Sequence, residues 1–183
     1  DRWCGCRKAE SAHQQPALGL LEVLRRSPEH HDVALPESRL GVRVAADDAV
    51  FGQPEAMVGL SAGGGGPVYL PRMLPPGKAM QMLMTGEPIT AQEAYRLGMV
   101  NQVHPKAELL SAALRIADKI ADNSPTAVQS VKRAVQNGQG EPVEQAIAIM
   151  MDEHWRSVVH ADRVEGIRAF TEGREPVFPD PEF

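Results

Sequence analysis

The chain has 183 residues, 43% hydrophobic and 23% charged, with a formal net charge of −5. That profile fits one globular domain, or one domain with an appendage, and it excludes a dominantly basic nucleic-acid surface. No apolar run approaches the roughly 20 residues that cross a bilayer, and no charged-then-apolar leader opens the chain, so a cytoplasmic protein with no membrane or nucleic-acid partner is expected. Aromatic residues make up only 4%, which leaves the core to Ala, Leu, Val, Ile and Met. The chain opens on Asp1 rather than Met, which reads as a processed chain or a fragment.

Residues 1–43 differ in composition from the rest. They hold seven Lys and Arg against six Asp and Glu, a net +1, which leaves −6 for the other 140 residues. Gln15 to Arg26 fits one helix, with Leu18 and Leu21 at helical spacing. No pair of alternating strands is evident around it. Cys4, Cys6, His13, His30 and His31 match none of the usual zinc spacings, so no metal site is expected. Two Cys in Cys4-Gly5-Cys6 do not make a disulfide framework either.

From Val42 the patterning sharpens. Val42 to Ala45 alternates like a short strand, Asp47-Asp48 makes a turn, and Val50-Phe51 reads as a second extended step. Gly63 to Gly66 followed by Pro67 reads as a glycine loop entering a helix. Lys78 to Met84 predicts a short helix stopping before Gly86, with Met80, Met82 and Met84 as core. Thr90 and Glu93 form a capping box for a helix that ends at Gly98. Val100 to Val103 reads as a strand. Leu109, Ala113, Ile116, Ala117 and Ile120 give one apolar stripe on a helix to about Asp122. Ser124-Pro125 starts the next helix, which stops near Gly138. A long helix spans Pro142 to Val159 with Val143, Ile147, Met150 and Met151 inward. Asp162 starts a last helix that ends at Gly173.

Two features invite chemistry. Glu55 lies between apolar neighbours Phe51, Ala56, Met57 and Val58, and a partly desolvated carboxylate suits general acid–base work; on spacing alone a solvated turn Glu is the commoner reading. The Gly63–Gly66 run lets a ligand or another backbone approach closely and precedes free helix amides. No Lys-Ser or Lys-Thr follows it, so a nucleotide phosphate loop is excluded, and a plain tight turn stays open as the alternative.

Taken together, these stretches are similar to a known family. Arg43-Val44-Ala45-Ala46-Asp47 through Phe51-Gly52-Gln53-Pro54-Glu55 resembles the middle of the enoyl-CoA hydratase/isomerase (crotonase) family. So do Gly59 to Gly66 with Leu70-Pro71-Arg72, Thr85-Gly86-Glu87-Pro88-Ile89-Thr90, Leu97-Gly98-Met99-Val100-Asn101, and Glu165-Gly166-Ile167-Arg168-Ala169-Phe170. The resemblance implies an α/β fold, part of a crotonase-like spiral of ββα units, with a C-terminal helical region that mediates trimers, often paired into hexamers. It divides the chain into an unmatched segment 1–41, a partial core 42–105 and a helical oligomerisation region 106–183. It implies acyl-CoA thioester substrates, with coenzyme A entering as part of the substrate and no other cofactor. Glu55 takes the catalytic position. Pro54, Gly63 and Gly64 fall beside the reacting acyl group, and Phe170 and Arg174 in a segment that contacts CoA; Gly173 stands where some members have Lys.

The N-terminal side departs from the family pattern. Members carry two backbone amides there that hold the thioester oxygen, each worth about 3 kcal/mol by analogy with single oxyanion donors. Many hydratases also carry a second catalytic Glu upstream. Its register position here is Leu35; Glu37 is off register, and no glycine pair precedes it. Residues 1–43 therefore read either as a foreign or out-of-frame segment, or as part of a divergent member that uses Glu55 alone.

Overall fold

The computed structural model describes residues 21–24 and 41–179. The chain divides into two compact units, residues 1–115 and 116–183, each described by itself. Among the described residues no helix is long and apolar enough to cross a membrane.

The first unit is built on strand β2 (Val42–Ala46), which lies between β1 (Leu21–Leu24) and β5 (Gln102–His104). Both pairings are parallel, with Leu21 opposite Val42 and Val44 opposite Gln102. Val44, Ala45 and Ala46 are completely buried, as a central parallel strand covered on both faces requires. Arg43 and Asn101 lock the sheet: the Arg43 amide donates to Asn101 Oδ1 and the Asn101 amide donates to the Arg43 carbonyl, both at 2.8 Å. β2 leaves through the Asp47-Asp48 turn. The chain then enters β3 (Val50–Phe51), which pairs antiparallel with β4 (Ile89–Thr90), Phe51 facing Ile89.

Between β3 and β4 lie a 3₁₀ turn (Pro54–Val58) and helices α1 (Gly66–Met73) and α2 (Pro76–Thr85). Helix α3 (Ala91–Arg96) follows β4 directly, and the Thr90 hydroxyl accepts from the Glu93 amide at 3.2 Å. The predicted reciprocal half of that cap is not formed. The Glu93 carboxylate turns forward to Arg96 instead, at 2.8 and 2.7 Å, and that guanidinium holds its carboxyl below the usual carboxylate range. The core is alanine-rich, as the lack of aromatics implied; Phe51, Leu70, Met82 and Leu109 are the large side chains most completely enclosed.

The second unit continues helix α4 (Leu109–Ala121), which crosses the division, into α5 (Pro125–Gly138), α6 (Val143–Val158) and α7 (Ala161–Glu172). The predicted α4 stripe is seen in Leu109, Ala113 and Ala117, all buried, with Ile116 and Ile120 half-buried. Helices α5 and α6 pack together. Arg133 Nε donates to Glu153 Oε2 at 2.9 Å, and this guanidinium keeps the buried Glu153 carboxyl below its ordinary range. Ser124 works twice. Its hydroxyl caps α5 by accepting from the Ala127 amide, and it donates to the buried Asp162 carboxylate at 2.6 Å, so the starts of α5 and α7 are tied.

Five expectations are corrected. Leu21–Leu24 is a strand rather than part of a helix, because pairing with β2 overrides local helical spacing; the rest of Gln15–Arg26 lies outside the described residues, as do Cys4, Cys6, His13, His30 and His31. The strand expected at Val100–Val103 sits lower, at Gln102–His104, because Val100 and Asn101 are held by Ala94 and Arg43. Helix α7 is capped by His160, not Asp162; His160 Nδ1 accepts from the Asp162 amide at 3.3 Å. Of the three methionines of α2 only Met82 is buried, since Met80 and Met84 share the opposite face. Val143, Ile147, Met150 and Met151 are exposed rather than inward; α6 turns other residues, Glu153 among them, to α5.

The C-terminal tail is latched to α7 by Glu165. Its carboxylate receives Arg174 Nη1 and Nη2 at 2.6 and 3.0 Å and the Val177 amide at 3.0 Å. These donors, the Arg174 guanidinium first, bring the Glu165 carboxyl down to about 2. A folded-state value below the unfolded one contributes stability above the ordinary carboxylate range and loses it as pH falls toward 2. Glu165→Gln is therefore expected to flatten the loss of melting temperature between about pH 5 and about pH 3. Thermal unfolding of both forms across that window checks this, and identical slopes contradict it.

Candidate active site around Glu55

Glu55 is the second residue of the 3₁₀ turn that follows β3. Pro54 before it presets the first turn and supplies no amide. The turn closes with the Leu60 amide on the Glu55 carbonyl at 3.0 Å and the Gly59 amide on the Ala56 carbonyl at 3.2 Å. The Glu55 side chain is half-buried, and its Oε2 atom is fully enclosed with no hydrogen-bond partner among the described residues. A carboxylate oxygen held with its lone pairs unused is placed to take or deliver a proton.

Two close approaches hold this turn. At Gly86, which ends α2 at φ +72°, a β-carbon would stand 2.6 Å from Met57 Cγ and 3.3 Å from Pro54 Cα. Only glycine meets both demands there. At Gly66, the first residue of α1, a β-carbon would stand 2.6 Å from Gln53 Oε1 and 3.1 Å from both Ala62 Cβ and Leu83 Cδ2. The residues on either side of Glu55 thus reach the end of α2 and the start of α1.

Gly63 and Gly64 are exposed. Among the described residues nothing lies within 4 Å of where a Gly64 β-carbon would stand, and only the Ser61 carbonyl oxygen, at 3.9 Å, near that of Gly63. Pro54, Glu55, Gly63 and Gly64 therefore belong to one stretch of the first unit. Phe170 and Arg174 belong to the second. Phe170 is 88% exposed on α7. Arg174 is occupied: besides Glu165 it donates Nε to Glu172 at 2.6 Å, and the two carboxylates raise its guanidinium further above its ordinary value. No group of three or more His, Cys, Asp or Glu suited to a metal ion occurs among the described residues.

Three residues that matter to this geometry were not singled out from sequence. Gln53 stands inside the matching stretch without a role, Gly86 is read as a helix stop and as part of the resemblance, and Glu165 as part of the resemblance. The signal for Gly86 was its place between a helix and the Pro88 that follows. Gln53 and Glu165 gave none, since what they touch is distant along the chain or beyond a turn.

The family model for enoyl-CoA hydratase/isomerase matches residues 40–181. A carnitinyl-CoA dehydratase of Escherichia coli (strain K12) is 38% identical over 139 residues, 74% of this chain and 53% of the relative. A crotonyl-CoA hydratase of Syntrophomonas wolfei is 39% identical over 136 residues, 74% of this chain and 52% of the relative. The crystal structure of an enoyl-CoA hydratase from Mycobacterium tuberculosis H37Rv aligns with a TM-score of 0.72 at 36% identity, covering 76% of this chain and 56% of that one. The chain spans about half the length of the curated relatives it matches. Over that span the sequence and the fold agree: the chain belongs to the enoyl-CoA hydratase/isomerase family and carries its crotonase fold.

Proposed function

We propose that this chain acts on acyl-CoA thioesters, with Glu55 as the acid–base group in hydration of a 2-enoyl-CoA, a step of fatty-acid or related acyl-CoA degradation. The observation that carries this is the enclosed, unpartnered Oε2 of Glu55, on a turn whose preceding residue, Gln53, reaches the end of the glycine run at Gly66. The hydroxyl of water adds at the β-carbon, the water's proton ends on the α-carbon, and Glu55 carries a proton between them. The thioester oxygen bears the charge that develops meanwhile. Pro54, Gly63 and Gly64 flank the acyl group. Phe170 offers its ring to CoA, and Arg174 joins it only by leaving Glu165 and Glu172. Coenzyme A belongs to the substrate, and no further cofactor takes part. The setting is cytoplasmic.

A single carboxylate limits hydration, which gains from two positioned acid–base groups, and it favours isomerisation of the double bond as the second reading. Assembly also enters. Val143, Ile147, Trp155, Val164, Ile167 and Phe170 are all exposed on α6 and α7, more apolar surface than a lone helical unit ordinarily shows to water. This supports a homotrimer, singly or paired into a hexamer, and a CoA-binding or trimer-forming remnant is what is left if catalysis is absent.

Two measurements test the reading. Absorbance at the enoyl thioester band should show slow loss of crotonyl-CoA, and Glu55→Gln should lower that rate by about 100-fold or more; a rate unchanged by the substitution contradicts the role of Glu55. Light scattering should give a mass three-fold or six-fold that of the 19.9 kDa chain, and a monomer contradicts the assembly.

A further inference from the structure

Gln53 is a polar side chain in an apolar place. It is 8% exposed. It precedes the 3₁₀ turn, where a side chain commonly caps, yet it does not cap. Instead Oε1 lies over the α-carbon of Gly66, so close that a β-carbon there would stand 2.6 Å away. Ala62 and Leu83 close the same α-carbon from other sides, at 3.1 Å each from that β-carbon position. Gly66 is where the glycine run becomes helix α1, and Gln53 is where β3 becomes the turn that carries Glu55.

We infer that Gln53 is a positioning residue: its carboxamide, wedged over Gly66, fixes the spacing between the Glu55 carboxylate and the glycine run. Gly86 secures the far side of the same turn through Pro54 and Met57, so Gln53 is the contact that sets the near side. The inference rests on the reading of Glu55 as the acid–base group, because a misplaced carboxylate matters only if the carboxylate reacts. A displacement of about 1 Å at a reacting group costs rate more than binding.

The test uses the full chain with Gln53→Ala, the length-conserving Gln53→Met, Gly66→Ala, and the Gln53→Ala/Gly66→Ala pair. With crotonyl-CoA as substrate, Gln53→Ala should lower kcat roughly ten-fold while KM stays within about two-fold. Gln53→Met, which keeps the wedge, should restore most of that loss. Gly66→Ala should cost less in the Gln53→Ala background than alone, since the colliding atom is gone. In parallel, amide NMR signals of Gly63, Gly64 and Gly65 should move in Gln53→Ala and return in Gln53→Met. Unmoved glycine signals overturn the inference, as does a lower melting temperature with unchanged kcat, or losses that add fully in the pair. If the unsubstituted chain turns over no crotonyl-CoA, the proposed function fails, and the glycine signals alone decide the place of Gln53.

Discussion

The α-carbons of Gly66 and Gly86 bound the space in which the Glu55 turn can lie. At each, an added methyl would meet Gln53 or Met57 at 2.6 Å, closer than β-carbons are found to real neighbours. Gly66 and Gly86 thus leave room for the Gln53 and Met57 side chains that flank the turn, at the start of one helix and the end of the next. Its own hydrogen bonds, from Leu60 and Gly59, close it locally, but a 3₁₀ segment of five residues has little stability by itself. Helices α1 and α2 hold it in place, and both hang on the β3–β4 pair that packs Phe51 into the core.

The same economy of side chains runs through the first unit. A core short of aromatics is filled by alanines on β2, α2, α3 and α4, which lets backbones approach where larger residues would hold them apart. A polar contact also links its elements, the Arg43 amide of β2 donating to the exposed Asn101 side chain. The second unit uses charge for the same purpose. Arg133 with Glu153 joins α5 to α6, Ser124 with Asp162 joins α5 to α7, and Glu165 with Arg174 folds the tail onto α7. Val143, Ile147, Trp155, Val164, Ile167 and Phe170 on α6 and α7 are exposed.

Local signals were legible where the chain settles a matter within a few residues. The Thr90 and Ser124 caps, the Pro67 entry to α1 and the Gly173 stop of α7 all stand where the sequence put them. Position along the helix was read well, but direction was not. Which face of α6 turns inward depends on Arg133 from α5, and periodicity cannot see across a loop. Met80 and Met84 failed for the same reason, one helical face being covered and the other bare. Leu21–Leu24 failed because a strand is made by its partner. Around Glu55 the reacting type and the glycine loop were legible as a motif, whereas the close approaches at Gly66 and Gly86 join segments distant in the chain and leave no pattern in one dimension.

Hydrogen exchange at the Gly59 and Leu60 amides, which close the Glu55 turn, shows whether contacts at Gly66 and Gly86 hold that turn from outside. In Gly86→Ala faster exchange is expected at these two amides, with the α5 and α6 amides unchanged; equal protection of Gly59 and Leu60 in the two forms means that the turn holds itself.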